Sequence, residues 1–476
     1  RAPSVYLKRE KEDNSTLKAQ MIPVHGTWIE VVQGANEMLK IMLERKNKLS
    51  LGVFLKCFGF TNEEILKLFG NNRYIKNVLD KEPQTTQEEA LIEFSRKTRP
   101  SDIPSAENTR SFINASFFTD AYYNLTRVGR YKFNKRLALK ERLPGLVSCD
   151  DIIVDGELLV KKGEEFTTES ATKVQNAGVN EVWVQLADKK HLMRGNNRVT
   201  LSEVFPCKQE ELGINEDVYY PVLSKILKEN KSKEKRMEAI KNSAKELIIT
   251  TLTMDDILAT ISCYLDVLEG IGTIDKIEHL SNKRVATVGE LTAKAFRDGV
   301  FKLSTNIKET LQGRDFVEVT PSQIMNPKAV NKMLRDFFSQ SQLSQIMDQK
   351  NPLSGITQKR RVSAIGPGGI KKERADPEIR DIHYTHYGRI CPIETPEGQS
   401  IGLINTLAAY AKINEYGFLE TPYRVVDKEK GVVTNKIEYK MADVENDSYI
   451  AQAIEPIDEE GHFINKRVNC RHGASI

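Results

Sequence analysis

Six basic side chains surround a glycine-rich loop in the last third of the chain, and their chemistry suits phosphate. They flank the sequence GPGG at 366–369 on both sides: Lys359, Arg360, Arg361, Lys371, Lys372 and Arg374. Glycine lets a main chain approach a ligand closely, and guanidinium and ammonium groups bind phosphate oxygens. The pattern predicts a nucleic-acid contact, with a solvated basic loop as the simpler alternative. No GK[ST] follows at P-loop spacing, which argues against nucleotide triphosphatase chemistry.

Two further pairs of reactive side chains follow this loop. His383 and His386 are three residues apart, but neither a carboxylate at zincin spacing nor a cysteine pair accompanies them. We therefore interpret them as structural hydrogen-bonding histidines rather than metal ligands. Glu394 and Glu397 resemble a pair of acid-base carboxylates, yet TPEG is typical of a turn. We expect a single glutamate that contacts a positively charged neighbour.

Length and composition indicate a multidomain cytoplasmic protein. The 476 residues exceed one ordinary core, and 39% hydrophobic with 29% charged residues suits several small domains. The net charge of +4 means that nucleic-acid binding must depend on local clusters. Six cysteines without a CxxC pair argue against a disulfide framework or a zinc ribbon. We find no signal peptide and no membrane span, and the missing start methionine favours a piece of something larger.

Helices with a few strands are predicted before residue 144. IPVHGTWIEVV favours a strand pair and LGVFLKCFGF a helix. TNEEILKLFG indicates a helix capped by Thr61 and stopped by Gly70, and another helix follows Ser105. VGRYKFNKRL is a basic element with two aromatic residues. Trp28 alone would be interpreted as a core tryptophan.

From about Pro144 to Thr250 the pattern predicts a small β-rich domain. Two apolar runs meet across Asp155-Gly156, a pair that tolerates the positive φ angles of a tight hairpin. TTESATKVQNAG is then a capped helix that ends at Gly178, and VNEVWVQL is a strand. The run KENKSKEKRMEAIKNSAKEL mixes both charge signs, so a solvated helix is favoured over a nucleic-acid arm.

Helices return at residue 254 and give way to turns after residue 343. A helix is predicted over 254–268, a long amphipathic helix from near Val288, and a third in NPKAVNKMLRDFFSQSQ. Glycine and proline then become dense, in NPLSG, GPGG, CPIETPEG and ETPY. Fixed turns between short elements position side chains rather than build a core.

The stretch 341–424 resembles the fork region of the β subunits of bacterial DNA-directed RNA polymerase. It reads SQLSQIMDQKNPLSGITQKRRVSAIGPGGIKKERADPEIRDIHYTHYGRICPIETPEGQSIGLINTLAAYAKINEYGFLETPYR, and the similarity is nearly continuous from Lys283 to Tyr423. The resemblance implies a multidomain mixed α+β fold in which an α/β lobe carries a sandwich-barrel hybrid-like β-rich insert. The implied domains are lobe 1–143, lineage-specific insert 144–250, lobe 251–280, partial protrusion 281–339, loop-rich fork 340–424 and the start of the external region 425–476.

The resemblance also implies a role in transcription without catalytic residues in this chain. The partners would be DNA, RNA and the α, β′, ω and σ subunits, with no membrane. The family's Mg²⁺ is bound by aspartates of β′, no DxDxD occurs here, and no cofactor is expected in this chain. The isolated chain is therefore predicted to be inactive. The alternative is an autonomous nucleic-acid-binding or scaffold module, which would bind single strands by itself in a salt-dependent way.

One set of positions matches the rifamycin site beside the path of nascent RNA. It comprises Gln342, Gln345, Ile346, Asp348, Gln358, Arg361, Ser363, Ile365 and Ile404. Gln358 stands where the family usually has histidine, and Ile346 where it has phenylalanine. An unreplaced polar contact typically costs about 1 to 3 kcal/mol. We therefore expect reduced affinity for rifamycin-type inhibitors.

A second set matches fork loop 2 and contacts to the RNA–DNA hybrid. It comprises Lys371, Lys372, Arg374, Pro396 and Glu397. Lys372 replaces the family's arginine, which keeps the charge but loses the planar group that binds phosphate bidentately. Gln399-Ser400 stands where Pro-Asn is usual, so a contact to RNA there is not implied.

A third set matches the residues that read non-template DNA at the downstream edge of the bubble. It comprises Arg1, Trp28, Ile277, Glu278, Lys283, Ile370 and Ile379. In the family an aromatic ring stacks on one base, and a carboxylate accepts hydrogen bonds from a flipped guanine. Here Glu278 stands for the usual aspartate and Lys283 for the usual arginine.

Overall fold

The chain forms two compact units of helices and small sheets. The computed structural model describes residues 1–9, 16–187, 189–206, 212–214, 216–230, 232–312 and 320–475. One unit is Ala2–Asp275, and the other combines Arg1 with Lys276–Ile476. The mixed helix and sheet content agrees with the predicted class. None of the described helices has the length and apolar character needed to cross a membrane.

A five-stranded antiparallel sheet opens the first unit. Each strand pairs with the next along the chain, in the order β1-β2-β3-β4-β5. The predicted strand pair is β2 and β3, whose Ala19 and Val31 face each other in the core. The strands are β1 Ser4–Arg9, β2 Leu17–Ile22, β3 Ile29–Gln33, β4 Leu39–Leu43 and β5 Asn47–Ser50.

Helices of this unit pack beside that sheet, and most of them supply side chains to its core. Thr61, Ser105 and Thr253 cap three of them, as amphipathic segments that begin with Ser or Thr predict. Phe54, Phe94 and Phe133 are fully buried in the resulting core. The helices are α1 Leu51–Lys56, α2 Asn62–Leu68, α3 Arg73–Asp80, α4 Gln87–Thr98, α5 Ala106–Phe118, α6 Thr126–Leu137 and α13 Met254–Leu268.

The segment between α6 and α13 holds two smaller cores. The first is β-rich, as predicted, and Asp155 and Gly156 have φ angles of 50° and 86° in its hairpin. Its elements are α7 Leu139–Arg142, β6 Val147–Ser148, β7 Ile152–Val154, β8 Glu157–Val160, α8 Thr168–Asn176, β9 Glu181–Leu186 and β10 Lys189–Arg194.

The second of these cores is mainly helical, so the prediction of one β-rich domain over 144–250 was wrong for its second half. Mixed charges on its helices face solvent, while apolar side chains such as Leu223 and Ile240 are buried. Its elements are β11 Arg198–Val199, α9 Leu201–Val204, β12 Val218–Tyr219, α10 Tyr220–Glu229, α11 Lys233–Asn242 and α12 Ala244–Leu247.

A buried ion pair joins α6 to the start of α13. Arg130 and Asp256 are both fully buried, and Arg130 Nη1 lies 2.8 and 2.9 Å from the two carboxylate oxygens. Arg130 also donates to the carbonyls of Ile249 and Thr251, at 2.6 Å each. Burial alone would raise the pKa of Asp256, but the Arg130 and Arg198 charges outweigh it and hold that pKa below its usual range.

The second unit combines a helical hairpin with short strands and many turns. A Cβ atom on Gly299 would lie 2.9 Å from Val330 Cα, so glycine allows the two long helices to approach closely. The helices are α14 Val288–Gln312, α15 Pro321–Ile324, α16 Lys328–Gln340, α17 Pro352–Lys359, α18 Pro377–Arg380 and α19 Ala442–Asn446. The strands are β13 Arg361–Ser363, β14 Ile404–Thr406, β15 Lys412–Ile413, β16 Leu419–Asp427, β17 Val432–Met441, β18 Ile450–Ala451 and β19 Cys470–Arg471.

Candidate nucleic-acid interface

A two-stranded sheet brings together four residues predicted to line the RNA path. Ser363 pairs with Ile404 across β13 and β14, and Arg361 lies two residues along the same strand. The N–H of Ile365 donates to Ser363 Oγ at 3.1 Å. Because side chains two apart on a strand share a face, Arg361 and Ser363 project to the same side of this sheet.

Gln358, at the C-terminal end of α17, holds the preceding loop in place. Its Oε1 accepts the N–H of Asp348 at 2.6 Å, and its Nε2 donates to the carbonyl of Ile346 at 3.0 Å. The side chain of Ile346 is itself 96% exposed. The amide of Gln358 therefore shapes the loop that presents Ile346 and Asp348.

Gln342 and Gln345 are exposed and lie in the segment before that loop. Leu343, between them, lies against the glycine-rich loop, since a Cβ atom on Gly366 would be 3.3 Å from Leu343 Cδ1. These two glutamines are therefore connected with the rest of the predicted RNA-path site only through the neighbouring Leu343. The other predicted residues of that site lie on β13 and β14 or are held by Gln358.

The glycine-rich loop closes on itself through its own main chain. Gly369 donates to the carbonyl of Gly366 at 2.9 Å, and Ile370 donates to that of Ala364 at 2.8 Å. A Cβ atom on Gly369 would lie 2.3 Å from the Ala364 oxygen, so no other residue fits without a shift. These two amides are occupied within the loop. The side chains of Lys371, Lys372 and Arg374, which follow the loop, are exposed and leave their charges available to a ligand.

Arg380 holds the segment that follows the turn carrying Pro396 and Glu397. Arg380 Nη1 donates to the carbonyls of Gln399 and Ile401, at 2.8 and 2.7 Å. Pro396 and Glu397 are exposed, and Glu397 precedes a 3₁₀ turn, as TPEG predicts. Among the residues that the structure describes, neither Glu394 nor Glu397 forms an ion pair, so the expected contact with a cation was wrong.

The histidines of the fork make structural hydrogen bonds, as predicted. Thr385 Oγ1 lies 2.8 Å from His383 Nδ1 and accepts the N–H of Leu280 at 3.2 Å. Burial lowers the pKa of His383, and it lowers that of His386 to about 4, so both rings are neutral near pH 7. No group of three His, Cys, Asp or Glu side chains in the described ranges could hold a metal ion.

The hydrogen bond from Leu280 to Thr385 holds the turn that carries Glu278 and Lys283, two residues predicted to contact non-template DNA. Glu278 and Lys283 form an ion pair with side chains that are 22% and 32% exposed. Ile277, Ile370 and Ile379 are partly buried in the same unit, to which Arg1 also belongs. His279 makes a hydrogen bond that the sequence did not predict. Its Nε2 lies 2.8 Å from Asn446 Nδ2, and Asn446 is distant along the chain.

Trp28 belongs to the other unit and lies just before β3. It is partly buried and is not a member of the hydrophobic core, so the interpretation as a core tryptophan was wrong. The guanidinium carbon of Arg45 lies 4.6 Å from the centroid of its ring. This cation on an aromatic face was not predicted, because Arg45 is on the next hairpin.

A buried arginine holds the fork to the strands that follow it. Arg389 is fully buried and donates to the carbonyls of Leu419 and Lys440, at 3.1 and 2.7 Å. It forms an ion pair with Glu445, whose side chain is 3% exposed and also pairs with Arg471. The sequence offered no signal for this cluster, because its members come from separate elements.

Three family models match the chain, and all three describe RNA polymerase. "RNA polymerase Rpb2, domain 2" matches residues 1–147, "RNA polymerase Rpb2, domain 3" matches 345–413, and "RNA polymerase beta subunit external 1 domain" matches 423–476. The second of these ranges includes β13, β14 and Arg389, and the third includes Glu445 and Arg471.

Relatives named DNA-directed RNA polymerase subunit beta align with nearly the whole chain. Those of Alkaliphilus oremlandii and Clostridioides difficile are each 44% identical over 99% of this chain and 38% of their own length. That of Caldicellulosiruptor bescii is 44% identical over 100% of this chain and 40% of its own length. The chain thus spans about two fifths of these relatives. With three domain models in chain order and relatives at this identity, the chain belongs to the family of bacterial DNA-directed RNA polymerase β subunits.

Proposed function

We propose that this chain forms part of a DNA-directed RNA polymerase and holds nucleic acid beside the reacting groups. Its family membership supports this role, and the observation that carries it is the glycine-rich loop with its exposed cations. Lys371, Lys372 and Arg374 follow a main chain that is closed by its own hydrogen bonds. Exposed cations of this kind bind the phosphates of any sequence.

The proposed contacts divide among three surfaces. Fork loop 2 and the 396–397 turn would face downstream DNA and the RNA–DNA hybrid. The β13–β14 sheet with the Gln358 loop would line the RNA path and take rifamycin-type inhibitors. Trp28 in one unit, and Glu278 with Lys283 in the other, would each contact non-template DNA. A partly buried indole suits stacking, and a carboxylate suits the N–H groups of guanine.

The chemistry of phosphoryl transfer would come from other parts of the enzyme. The resemblance assigns Mg²⁺ to the β′ subunit, so the residues described here would position nucleic acid and perform no proton transfer. Assembly with α, β′, ω and σ in the bacterial cytoplasm completes the proposal. The 476-residue chain alone is expected to bind nucleic acid weakly and to lack activity.

Neutralising the three loop cations should lower the affinity of the assembled enzyme for downstream DNA. The triple change Lys371→Gln, Lys372→Gln and Arg374→Gln removes up to three cations that bind phosphate. We expect the slope of log K against log salt to fall by about 0.7 to 0.9 for each phosphate that is no longer neutralised. The measurement is the salt dependence of open-complex dissociation.

The matched control neutralises three exposed lysines of the same unit, Lys428, Lys430 and Lys436. These lie on the β16–β17 hairpin and are not in the proposed interface. An unchanged slope in the loop triple would contradict the proposal. Strong salt-dependent binding of single strands by the isolated chain would instead favour an autonomous module.

Gln358→His should increase rifamycin sensitivity of the assembled enzyme. The imidazole that the family usually presents would restore a polar contact worth about 1 to 3 kcal/mol. The measurement is the inhibition curve of RNA synthesis against rifamycin concentration. Gln358→Ala is the control, because it removes both hydrogen bonds to the 346–348 loop without adding a ring. Equal sensitivity of wild type and the histidine variant would refute the assignment.

A further inference from the structure

The hairpin between β4 and β5 places an arginine on the ring of Trp28. Glu44 and Arg45, at the tip, have φ angles of 50° and 61°. Asn-Gly or Asp-Gly pairs suit such a turn best, because residues with larger side chains are strained at positive φ. The geometry of the turn therefore does not favour Glu44 and Arg45 at these positions. A contact made by the Arg45 side chain does give one.

A buried carboxylate holds Arg45 over the ring. Arg45 Nε lies 3.5 Å from Glu30 Oε1, and the side chains of Arg45 and Glu30 are 58% and 2% exposed. Gln20 Nε2 donates to the same oxygen at 2.6 Å, which fixes the carboxylate. The N–H of Glu44 also donates to the carbonyl of Trp28 at 3.0 Å, so hairpin and indole are joined through the main chain.

This arrangement sets two partners in competition for one aromatic face. A guanidinium over an indole at an exposed site is a weak attraction. Stacking of a nucleobase on the same face is stronger and tolerates any base. Because most of the Arg45 side chain is in solvent, it can leave the ring without unfolding the hairpin. Once displaced, its charge is close to the phosphates of the strand whose base has replaced it.

We propose that Arg45 is a displaceable cover of the Trp28 ring, released when a base of single-stranded nucleic acid stacks there. This inference rests on the proposed role of Trp28 in binding non-template DNA. Glu30 keeps the cover in place in the absence of nucleic acid. The cover lowers the affinity for a stacked base, and the displaced guanidinium partly compensates at low salt.

Fluorescence of the full 476-residue chain can test this directly. The chain contains two tryptophans, so Trp183→Phe leaves Trp28 as the single reporter. Oligothymidylate is titrated at high salt, where phosphate contacts are screened. We expect Arg45→Ala to lower the dissociation constant for oligothymidylate about two- to fivefold. This factor corresponds to the free energy of an exposed cation–π contact, which the base no longer has to displace. Without oligonucleotide, the same change should shift the Trp28 emission to longer wavelength.

Lys46→Ala is the matched control, since it removes an exposed charge from the same hairpin and should change neither signal. Arg45→Lys, which keeps the charge without the planar group, should give an intermediate affinity. If oligothymidylate quenches Trp28 but Arg45→Ala binds no more tightly, the cover is overturned while stacking stands. If no variant shows quenching, both the stacking role of Trp28 and its cover are wrong.

Discussion

Asp256→Asn should destabilise the first unit by about 3 to 5 kcal/mol, because it leaves the buried guanidinium of Arg130 without a counter-charge. Both side chains are fully buried. The carboxylate that this change removes also accepts the N–H of Thr253, at 3.0 Å, and thereby caps α13. Asparagine would retain one acceptor oxygen but no charge. Few single substitutions in this unit should have a larger effect.

Hydrogen exchange of peptides from α6 and α13 measures this destabilisation locally, so the two units need not unfold together. The control is Asp102→Asn, which breaks the exposed pair of Arg99 and Asp102, with side chains 40% and 42% exposed. A surface pair of this kind contributes about 0 to 1 kcal/mol. Equal protection of α13 in both variants would show that the buried pair is not needed.

The same carboxylate predicts how stability depends on pH. The pKa of Asp256 in the folded chain is below its usual range. The unfolded chain therefore takes up a proton first as the pH falls, which favours unfolding. The contribution of Asp256 is complete above the unfolded value of about 3.9 and is lost progressively below it. The asparagine variant should lose this part of the acid sensitivity.

Arg389→Met should loosen the fork by a similar amount, about 3 to 5 kcal/mol, since it leaves Glu445 with less compensation in a buried position. Methionine keeps much of the volume and no charge. The carbonyls of Thr385, Leu419 and Lys440 would also lose a donor. We expect faster hydrogen exchange in β16 and β17 and in the 383–390 segment.

The control for this change is Lys436→Met on β17, which removes a cation whose side chain is 69% exposed and paired with Glu438. It should leave the exchange rates of the fork unchanged. Arg389→Lys separates charge from geometry, because lysine cannot donate to several carbonyls in one plane. Wild-type protection in Arg389→Met would mean that Arg389 does not hold the fork.

Local signals in the sequence predicted single elements well. The helix α13 has the predicted bounds, Met254–Leu268, because its cap and apolar spacing lie within the segment itself. The Asp155-Gly156 hairpin and the helix stop at Gly178 depend on φ angles that neighbouring residues specify. Their outcome needed no knowledge of the rest of the chain.

Contacts between distant segments could not be predicted in this way. Arg130 and Asp256 are 126 residues apart, and no pattern in either helix names the other. The charged run at 228–247 was correctly predicted to be helical, but the helices before it, between 199 and 230, were missed because short apolar runs fit strands as well as helices. Taken alone, Trp28 suggested a core residue, because nothing local connects its ring with Arg45, which lies at the tip of a later hairpin. Resemblance to a family, rather than any local pattern, identified the candidate site residues.

The closed glycine-rich loop also has a consequence for how such a protein can evolve. Gly366, Gly369 and Ile370 build the shape of the loop from main-chain hydrogen bonds, and the cations that follow it are exposed. Shape and charge can therefore change separately. If the proposed DNA contact is correct, a single substitution at Lys371 or Lys372 would adjust the affinity for DNA without a change of the backbone, whereas a substitution at Gly369 would disturb the entire loop.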